Sequence, residues 1–323
     1  MRCLVTGGAG FIGSHLVEPL LERGDEVDVI DDLSTGSAAN IEPFKANPRF
    51  HYQVDSVMNS PLVAEMVDNA DVVFHLAAAV GVFLVVERPF RTMEINIRGT
   101  EIVLGHAVKK TRKVLVASSS EVYGSSMSTR FREGDDLVLG PPTQGRWSYA
   151  CSKALDEFLA LAVHRERGLP VVVARLFNTV GPGQTGRYGM VVPRFVGQAL
   201  AGGPITVYGD GTQTRAFCYV DDTVRALIGL ADDDRAVGGI FNVGSDREMT
   251  IGELAERVRR LVNPQAEITH VPYDEAYAPD FRDMLRRVAD ITKIRQLLGF
   301  EPSLGIDSII ERVRDHMAEH GDR

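Results

Sequence analysis

The sequence predicts an α/β protein in which a doubly wound parallel sheet is followed by a smaller α/β domain. The first half of the chain alternates short β-branched runs with longer amphipathic stretches, as parallel strands and crossover helices do. The strand-like runs are nearly continuous in Val, Ile and Leu, which is typical of strands buried on both faces. With 323 residues that are 44% apolar, the chain can bury the cores of one large or two smaller domains.

The predicted elements alternate in order along the first half of the chain. The predicted strands are Cys3–Thr6, Glu26–Asp31, Phe50–Val54, Val72–Leu76, Lys113–Ser118 and Val171–Leu176. The amphipathic stretches between them predict four helices, at Ile12–Arg23, Pro61–Asp68, Thr92–Lys110 and Tyr149–Arg167. Helices that cross over between parallel strands cover both faces of the sheet, so this order predicts a Rossmann-type doubly wound arrangement.

The texture of the sequence changes after Asn178, where loops rich in Gly and Pro separate shorter elements. We therefore predict a first domain at residues 1–178 and a smaller, substrate-binding domain at residues 179–323. Two later segments are strand-like or helical enough to return to the first sheet, which would interleave the domains: 217–231 and 240–244.

The bulk composition excludes several classes of partner. A formal net charge of −9 argues against a nucleic-acid or anionic-membrane surface, which would need a basic face. Cys3, Cys151 and Cys218 are too few and too scattered for a disulfide framework or a metal site, and no metal is expected. The sequence has neither a signal-peptide pattern nor an apolar stretch of roughly 18 residues, so we expect a soluble, cytoplasmic protein without a membrane partner.

A glycine-rich turn follows the first predicted strand. Gly7, Gly10 and Gly13 recur at every third position between that strand and the next helix. Glycines here let the backbone turn tightly, approach a pyrophosphate and pack the helix closely on the sheet. The GxxGxxG spacing differs from the GxGxxG form of many dehydrogenases, and an ordinary glycine-containing turn is the alternative. The turn predicts a dinucleotide site.

Asp31 indicates which dinucleotide is expected. It ends the second predicted strand, where a carboxylate can hydrogen-bond the ribose hydroxyls of adenosine. The same carboxylate would repel a 2′-phosphate, and no Arg or Lys occurs from Asp31 to Asn40 to attract one. NAD is therefore predicted rather than NADP, with a loop-capping Asp31 as the alternative. Asp55, after the third strand, either meets the adenine or belongs to a turn.

Tyr149 and Lys153 form the predicted acid–base pair. Their spacing of four places both side chains on one face of the predicted helix. Lys153 can stabilise a Tyr149 phenolate and so move the tyrosine towards the ionised form that a general base needs. The same spacing also occurs on ordinary helix surfaces, which is the alternative.

The segment Ser118–Gly124 ends a predicted strand and carries several hydroxyls and Glu121. In open α/β sheets, ligands bind beyond the carboxyl ends of the strands. We therefore expect these side chains to face the substrate. The alternative is a hydroxyl-rich turn in which Glu121 is solvated.

These motifs together resemble the extended short-chain dehydrogenase/reductase family, which modifies nucleotide sugars with NAD. The resemblance runs through almost the whole chain and is closest to the UDP-glucuronic acid decarboxylases, or UDP-xylose synthases. It rests on Gly7–Gly13, His75–Ala78, Ser118–Gly124, Tyr149 with Lys153, Arg175–Asn178, Val207–Gly211 and Gln213–Arg215.

The resemblance implies roles for individual residues. Tyr149 would take the proton from a sugar 4-hydroxyl while the hydride passes to NAD, with Ser119 or Ser120 as its hydrogen-bonding partner. The implied catalytic residues are Ser119, Ser120, Glu121, Tyr149, Lys153 and Arg287. The implied NAD contacts are Gly7, Gly10, Phe11, Ile12, Gly13, Asp31, Asp32, Asp55, Ser56, Leu76, Ala77, Ala78, Asn96, Tyr149 and Lys153. The implied UDP-sugar contacts are Glu121, Asn178, Arg194, Tyr208, Arg215 and Arg287.

The residues after the fifth strand favour one reaction of this family. Family 4,6-dehydratases have an Asp-Glu pair where this chain has Ser120 and Glu121, and Ser120 lacks a readily transferred proton. Common 4-epimerases have a small or hydroxyl residue in place of Glu121. A Ser-Glu pair resembles the UDP-glucuronic acid decarboxylases, in which an Arg near the sugar carboxylate precedes a proline. Arg287 stands at that offset, although Ala289 replaces the proline.

We therefore expect UDP-glucuronic acid to be decarboxylated to UDP-xylose or its 4-keto form. Oxidation at C4 makes a uronic sugar a β-keto acid, and loss of carbon dioxide leaves an enolate that is protonated at C5. The alternatives are a 4-epimerase of a UDP-hexose or UDP-uronic acid, a 5,6-dehydratase that uses Glu121, and an NAD sensor without activity. Thr92–Lys110 and Tyr149–Arg167 resemble the helices of the family's homodimer interface, although they also fit packing on the sheet.

Overall fold

The computed structural model describes residues 1–81, 88–186, 190–276 and 284–321. Its strands are β1 (Arg2–Thr6), β2 (Glu26–Asp31), β3 (Phe50–Val54), β4 (Val72–His75), β5 (Lys113–Ser119), β6 (Val171–Leu176), β7 (Thr179–Val180), β8 (Ile205–Tyr208), β9 (Thr214–Ala216), β10 (Cys218–Tyr219), β11 (Ile240–Val243), β12 (Glu248–Thr250), β13 (Ile268–Val271) and β14 (Arg286–Arg287). Its α-helices are α1 (Phe11–Glu22), α2 (Ala38–Ile41), α3 (Ser60–Asn69), α4 (Pro89–Lys110), α5 (Trp147–Arg167), α6 (Val191–Leu200), α7 (Val220–Asp232), α8 (Ile251–Val262), α9 (Tyr273–Ala276), α10 (Thr292–Leu298) and α11 (Ile306–His320). Short 3₁₀ turns lie at Glu42–Phe44, Ser120–Tyr123 and Asp234–Ala236.

The main sheet has seven strands in the order β11-β6-β5-β4-β1-β2-β3. Every neighbouring pair in it is parallel. The chain starts at β1 and moves outward to β3, then crosses to β4 and moves outward in the other direction. The predicted Rossmann-type doubly wound α/β fold is confirmed.

Alternate residues of each strand pack on opposite faces of this sheet. Leu4 packs in a core that includes Val63 of α3 and Val103 of α4. Val5 lies in a second core, together with Leu16 of α1. Because both faces are covered by helices, both sets of strand residues must be apolar, which explains the continuous Val, Ile and Leu runs.

The predicted boundaries of the first six strands agree with the structure to within one residue, but two helices begin two or three residues earlier than predicted. Helix α4 begins at Pro89 rather than Thr92, and α5 begins at Trp147 rather than Tyr149. Proline fits the first helical turn, because the N–H that it lacks has no partner within the helix there. Apolar periodicity alone does not reveal such an extra turn.

Segments beyond residue 178 also join the main sheet. Strand β11 pairs in parallel with β6, and α7 packs against α1, β5 and β6. The short strand β10 differs, because it pairs with β7 in a separate two-stranded sheet. The division of the chain into residues 1–178 and 179–323 stays a prediction.

Two smaller sheets complete the described fold, one in the order β12-β9-β14 and one of β13 with β8. Helices α6, α8 and α11 pack against one another nearby. This arrangement brings β8, β9 and β14 to the same cavity as the carboxyl ends of the main sheet. Among the described residues, no helix is both long and apolar enough to cross a membrane.

Candidate active site

A cavity of about 770 Å³ runs along the carboxyl ends of the parallel strands. Its wall includes the glycine turn after β1, the residues that follow β4 and β5, and side chains of β8, β9 and β14. Every residue predicted to bind cofactor or substrate, or to act in catalysis, lines this cavity except Asn96. The fold therefore brings the three predicted groups of residues into one site.

Asn96 lies inside α4, buried beside the cavity rather than on its wall. Its side-chain oxygen accepts a hydrogen bond from the Ala79 main-chain nitrogen at 2.8 Å, and its amide nitrogen donates to Ser152 Oγ at 3.0 Å. These bonds use the side chain within the protein. The structure therefore gives Asn96 a supporting position, in which it holds the loop after β4 against α5, and its contact with the cofactor stays a prediction.

The glycines of the turn after β1 stand where a side chain would be strained or would collide with the main chain. Gly7 has a φ of +72°, in the left-handed region that favours glycine. A Cβ atom on Gly13 would lie 2.2 Å from the Gly7 carbonyl oxygen, so no side chain fits there. Gly10 precedes α1 and provides no side-chain cap. The N-terminus of α1 lines the cavity through Phe11 and Ile12, and its partial positive charge favours an anionic ligand.

Asp31 forms hydrogen bonds within the protein at the end of β2. Its carboxylate accepts hydrogen bonds from the main-chain nitrogens of Ala9 at 2.9 Å and Leu33 at 2.8 Å. These bonds tie the glycine turn to the end of β2. Burial raises the pKa of Asp31, and the hydrogen bonds from Leu33 and Ala9 oppose that increase. Each carboxylate oxygen can accept a further hydrogen bond, so ribose hydroxyls can still bind.

The other acidic residues of this region have local partners. The Asp32 carboxylate accepts a hydrogen bond from the Ser34 main-chain nitrogen at 3.0 Å. Asp55 accepts hydrogen bonds from the Ser56 nitrogen and from Asn59 Nδ2, both at 2.7 Å. Asp55 thus organises the turn before α3, and it lines the cavity as well.

Tyr149 and Lys153 border the cavity from one face of α5. Burial raises the pKa of Tyr149, whereas the Lys153 ammonium and a hydrogen bond with the Ser119 side chain lower it. Lys153 therefore acts in the predicted direction, but burial outweighs it. The Ser119 hydroxyl oxygen also accepts a hydrogen bond from the Glu121 nitrogen at 3.2 Å.

A buried ion pair fixes α5 to the sheet. Arg175 on β6 donates to both carboxylate oxygens of Glu157, at 2.9 and 2.7 Å. The Ser118 hydroxyl donates to the same carboxylate. Arg175 belongs to the motif on which the family resemblance rests, yet it does not line the cavity. Its contacts hold the helix that carries Tyr149 over the strand ends.

Two arginines flank Glu121. Arg287 and Arg146 each form an ion pair with it, the latter at 3.3 Å. Arg287 also donates to Asn178 Oδ1 at 2.7 Å. Burial raises the pKa of Glu121, but the charges of Arg287, Arg146 and Arg215 together bring that pKa below its usual range. Glu121 is therefore ionised at neutral pH in a net positive environment.

Arg146 is a cavity residue that sequence reasoning missed as a site residue. It immediately precedes α5, and its guanidinium lies 4.8 Å from the centre of the Trp147 ring. The available signal was its place three residues before Tyr149. Pairing between Arg146 and Glu121 becomes visible only in the folded chain.

The segment that carries Arg287 is anchored next to Ala289, where the resembled family has proline. Ala289 is fully buried and bridges to Phe131. The Phe131 nitrogen donates to the Val288 carbonyl, and the Asp290 nitrogen donates to the Phe131 carbonyl, both at 2.9 Å. This pairing fixes the segment without a proline.

Arg215 on β9 and Arg287 on β14 are paired in the parallel register, so they lie side by side. Arg215 donates to the main-chain carbonyls of Thr214 at 2.8 Å and Met284 at 2.9 Å. Both arginines line the cavity. The parallel register therefore places two guanidinium groups on one side of it.

Arg194 and Tyr208 form a stacked pair on the same wall. The guanidinium of Arg194 lies 4.1 Å from the centre of the Tyr208 ring. Arg194 also donates to the carbonyl and hydroxyl oxygens of Thr206, at 2.8 and 2.6 Å. A planar guanidinium held in this way can present further N–H groups to phosphate oxygens.

Comparisons with known proteins agree over nearly the full chain. A family model described as GDP-mannose 4,6 dehydratase matches residues 4–313. The chain is 41% identical, over 94% of its length and 93% of the relative, to a UDP-N-acetyl-alpha-D-glucosaminuronate decarboxylase of Bacillus cytotoxicus. It is 38% identical to UDP-glucuronic acid decarboxylase 1 of Arabidopsis thaliana, over 97% of this chain and 69% of the relative.

A solved structure extends the similarity to a ligand-bound protein. It is the UDP-glucuronic acid 4-epimerase of Bacillus cereus in complex with UDP-glucuronic acid and NAD. The TM-score is 0.88, with 28% sequence identity and 99% of each chain covered.

Proposed function

Because the chain belongs to the extended short-chain dehydrogenase/reductase family of the GDP-mannose 4,6-dehydratase model, we propose that it is an NAD-dependent decarboxylase of a UDP-uronic acid. UDP-glucuronic acid is the favoured substrate, with UDP-xylose or its 4-keto form as product. The observation that carries this proposal is the placement of Arg287 and Arg146 around Glu121, in the cavity that also holds Tyr149 and Lys153.

The residues around the glycine turn fit NAD. A Cβ on Gly7 would lie 2.8 Å from the Ala77 nitrogen, so the turn is a tight main-chain cradle at the start of α1. Such a cradle suits a pyrophosphate, and Asp31 suits the adenosine ribose. When bound, NAD supplies the hydride acceptor for sugar C4 and later the hydride donor. The glycine turn and Asp31 bind the cofactor, and Tyr149 and Lys153 border the space for the reacting atoms.

Tyr149 is the group that accepts and later returns a proton. As a general base it takes the proton of the sugar 4-hydroxyl, and it returns that proton when C4 is reduced. Lys153 favours the phenolate form through its charge, and the Ser119 hydrogen bond acts in the same direction. These two residues oppose the effect of burial on the pKa of Tyr149, although burial remains the larger effect.

The arginines supply the charge that a UDP-uronic acid needs. Arg146 and Arg287 are assigned to the sugar carboxylate, and Arg194 and Arg215 to the diphosphate. With C4 as a ketone, the carboxylate at C5 belongs to a β-keto acid, and its loss as carbon dioxide leaves an enolate. Because the negative charge moves from the carboxylate to the C4 oxygen in this step, Arg146 and Arg287 bind and orient the substrate. The group that stabilises the enolate oxygen is Tyr149, protonated in the first step, and a proton from water then adds at C5.

Dehydration is disfavoured by the protonation states of the site. Elimination of a hydroxyl needs an acid beside the leaving group. Ser120 lacks a readily transferred proton, and Glu121 is ionised because its arginine partners lower its pKa. Neither residue therefore serves as the acid of a 4,6- or 5,6-dehydratase.

Epimerisation at C4 is the second candidate, because the structurally similar Bacillus cereus protein is a UDP-glucuronic acid 4-epimerase. The two reactions are separated by incubating the NAD-loaded protein with UDP-glucuronic acid and weighing the product. Decarboxylation predicts a mass lower by one carbon dioxide. An unchanged mass with altered chromatographic retention would assign epimerisation instead.

The nature of the C2 substituent is tested in parallel. One relative is named for UDP-N-acetylglucosaminuronate and the other for UDP-glucuronic acid. Competition between equal concentrations of the two substrates gives the ratio of their kcat/KM values directly. Faster consumption of UDP-glucuronic acid supports the favoured substrate, and faster consumption of the N-acetylated sugar overturns that preference.

The proposed assembly is a homodimer. Helices α4 and α5 pack against each other, and α5 presents Leu155 and Phe158 to solvent, with 39% and 63% of their surfaces exposed. A second copy of these helices would cover that apolar surface. The proposed compartment is the cytoplasm, which suits the three free cysteines of the chain.

A further inference from the structure

Lys153 has a buried partner that the proposed mechanism does not use. Its ammonium donates to Asp156 Oδ2 at 2.8 Å, one turn further along α5. The side chain of Asp156 is fully buried, and that of Lys153 is 3% exposed. A carboxylate therefore lies in direct contact with the ammonium of the acid–base pair.

Stability alone is a poor explanation for this pair. Desolvation of two charges often cancels their attraction, and apolar residues of similar size are commonly as stable or more so. Burying the Asp156 carboxylate is unfavourable for folding, and its attraction to Lys153 must compensate for this. The effect specific to this position is the electrostatic influence of Asp156 on Lys153 and Tyr149.

Asp156 also lies near a chain of buried polar side chains. It interacts with the Thr100 side chain. The Thr100 hydroxyl lies 3.1 Å from His75 Nε2, and His75 Nδ1 lies 2.8 Å from the Thr6 hydroxyl. Burial and the Lys153 charge lower the pKa of His75 to about 3, so this histidine is neutral.

The other charged groups near the pair can be named. Glu157, on the same helix, is occupied by Arg175 of β6. Glu121, in the turn after β5, also acts on Tyr149 through its charge and is itself paired with arginines. Asp156 is thus the carboxylate that contacts Lys153 directly.

We propose that Asp156 is a positioning residue, which holds the Lys153 ammonium at Tyr149 and offsets part of its charge. The proposal rests on the proposed function only in taking Tyr149 as the acid–base group. Asp156 then limits how far Lys153 favours the tyrosinate, so that the proton accepted by Tyr149 can also be returned. In agreement, the Asp156 charge raises the pKa of Tyr149.

The test is Asp156→Asn, which removes the charge and keeps an oxygen that accepts from Lys153. Tyr149 titration is followed by tyrosinate absorbance, as the difference between each protein and its Tyr149→Phe version, without substrate. The acidic limb of the pH profile of kcat/KM is measured as well. Both should shift to lower pH by about one unit, the size expected for one nearby charge.

Glu166→Gln is the matched control, because it removes the same charge from an exposed position of α5. Its titration should coincide with that of the parent. Asp156→Glu keeps the charge and should return the midpoint towards the parent value. If Asp156→Asn folds poorly, Asp156→Ser is a second variant without the charge, and the proposal requires the same shift of the Tyr149 midpoint to lower pH.

An unchanged Tyr149 midpoint in Asp156→Asn, or a midpoint at higher pH, would overturn the proposal. A uniform loss of kcat at every pH, without a shift, would leave Asp156 a purely structural residue. The absorbance titration does not involve UDP-glucuronic acid, so its outcome is independent of whether the substrate is assigned correctly.

Discussion

Arg287 and Glu121 form an ion pair that joins positions 166 residues apart in the sequence. Arg287 stands on β14, and Glu121 follows β5. The same guanidinium donates to Asn178, just after β6. The Arg287 side chain thus connects the carboxyl ends of β5 and β6 in the main sheet with the smaller sheet that carries Arg215.

Replacement of Arg287 by lysine should reduce kcat/KM for UDP-glucuronic acid by roughly a hundredfold, the usual size for loss of one preorganised donor. Lysine keeps the charge but cannot span Glu121 and Asn178 as a planar fork does. Arg286→Lys is the control, because Arg286 is the exposed neighbour of Arg287 on β14 and pairs with Glu248 of β12. Equal activities of the two variants would remove Arg287 from the carboxylate site.

Asp31→Asn should weaken NAD binding by roughly tenfold, since hydrogen bonds to a charged acceptor contribute about 1.5–3 kcal/mol. The amide can keep only part of the bonding to the ribose and to the glycine turn. Calorimetric titration with NAD measures the change, and Glu26→Gln on the exposed part of β2 is the control. Unaltered NAD affinity would restrict Asp31 to its loop-capping contacts.

Gly13→Ala should lower the free energy of unfolding by about 2 kcal/mol and abolish NAD binding, because its Cβ would lie 2.2 Å from a main-chain oxygen. Gly105→Ala is the matched control on α4, where a Cβ meets no atom within 4 Å. That change should add up to about 1 kcal/mol through helix propensity. Urea unfolding measures both, and a Gly13→Ala protein of parental stability would refute the steric account.

Stability should fall on mild acidification because of His75. Burial and Lys153 lower its pKa from 6.5 to about 3. Between these values the unfolded chain binds a proton that the folded chain does not, so acid favours unfolding by up to about 1.4 kcal/mol per pH unit. His75→Gln should show a shallower decline in urea unfolding over this range. Parallel declines of parent and variant would show that His75 titrates alike in both states.

Phe158→Glu should convert the proposed homodimer to monomers, because a charge would replace the apolar contact between α5 helices. Phe158 is 63% exposed, and Met127, which is 93% exposed in a loop, provides Met127→Glu as the control. Sedimentation velocity measures the mass of each protein. A parent that sediments as a monomer would contradict the assembly.

Much of the site could be predicted because it depends on local geometry. The spacing of Tyr149 and Lys153 places them on one face of a helix. The position of Asp31 is predictable because Asp31 is the last residue of a strand. The three glycines at fixed spacing likewise predict the conformation of a single turn. Such features need only the type of element, which apolar periodicity reveals.

The remaining contacts depend on tertiary packing. Asp156 is fully buried because α5 packs against both α4 and the main sheet. Arg146 meets Glu121 from a different part of the chain. Asn96 was expected at the cofactor, but the loop at Ala79 uses its amide. Spacing along the sequence cannot show which partner a polar side chain meets.

We propose that this cavity decarboxylates a UDP-uronic acid with Tyr149 as its acid–base group. The most direct measurement is the carbon dioxide released from UDP-glucuronic acid by the NAD-loaded protein, compared with Tyr149→Phe. We expect the parent to release carbon dioxide in step with substrate consumption, and Tyr149→Phe to release it roughly a thousandfold more slowly, in the range for loss of a general base. Consumption of UDP-glucuronic acid without release of carbon dioxide, or equal release by both proteins, would contradict it.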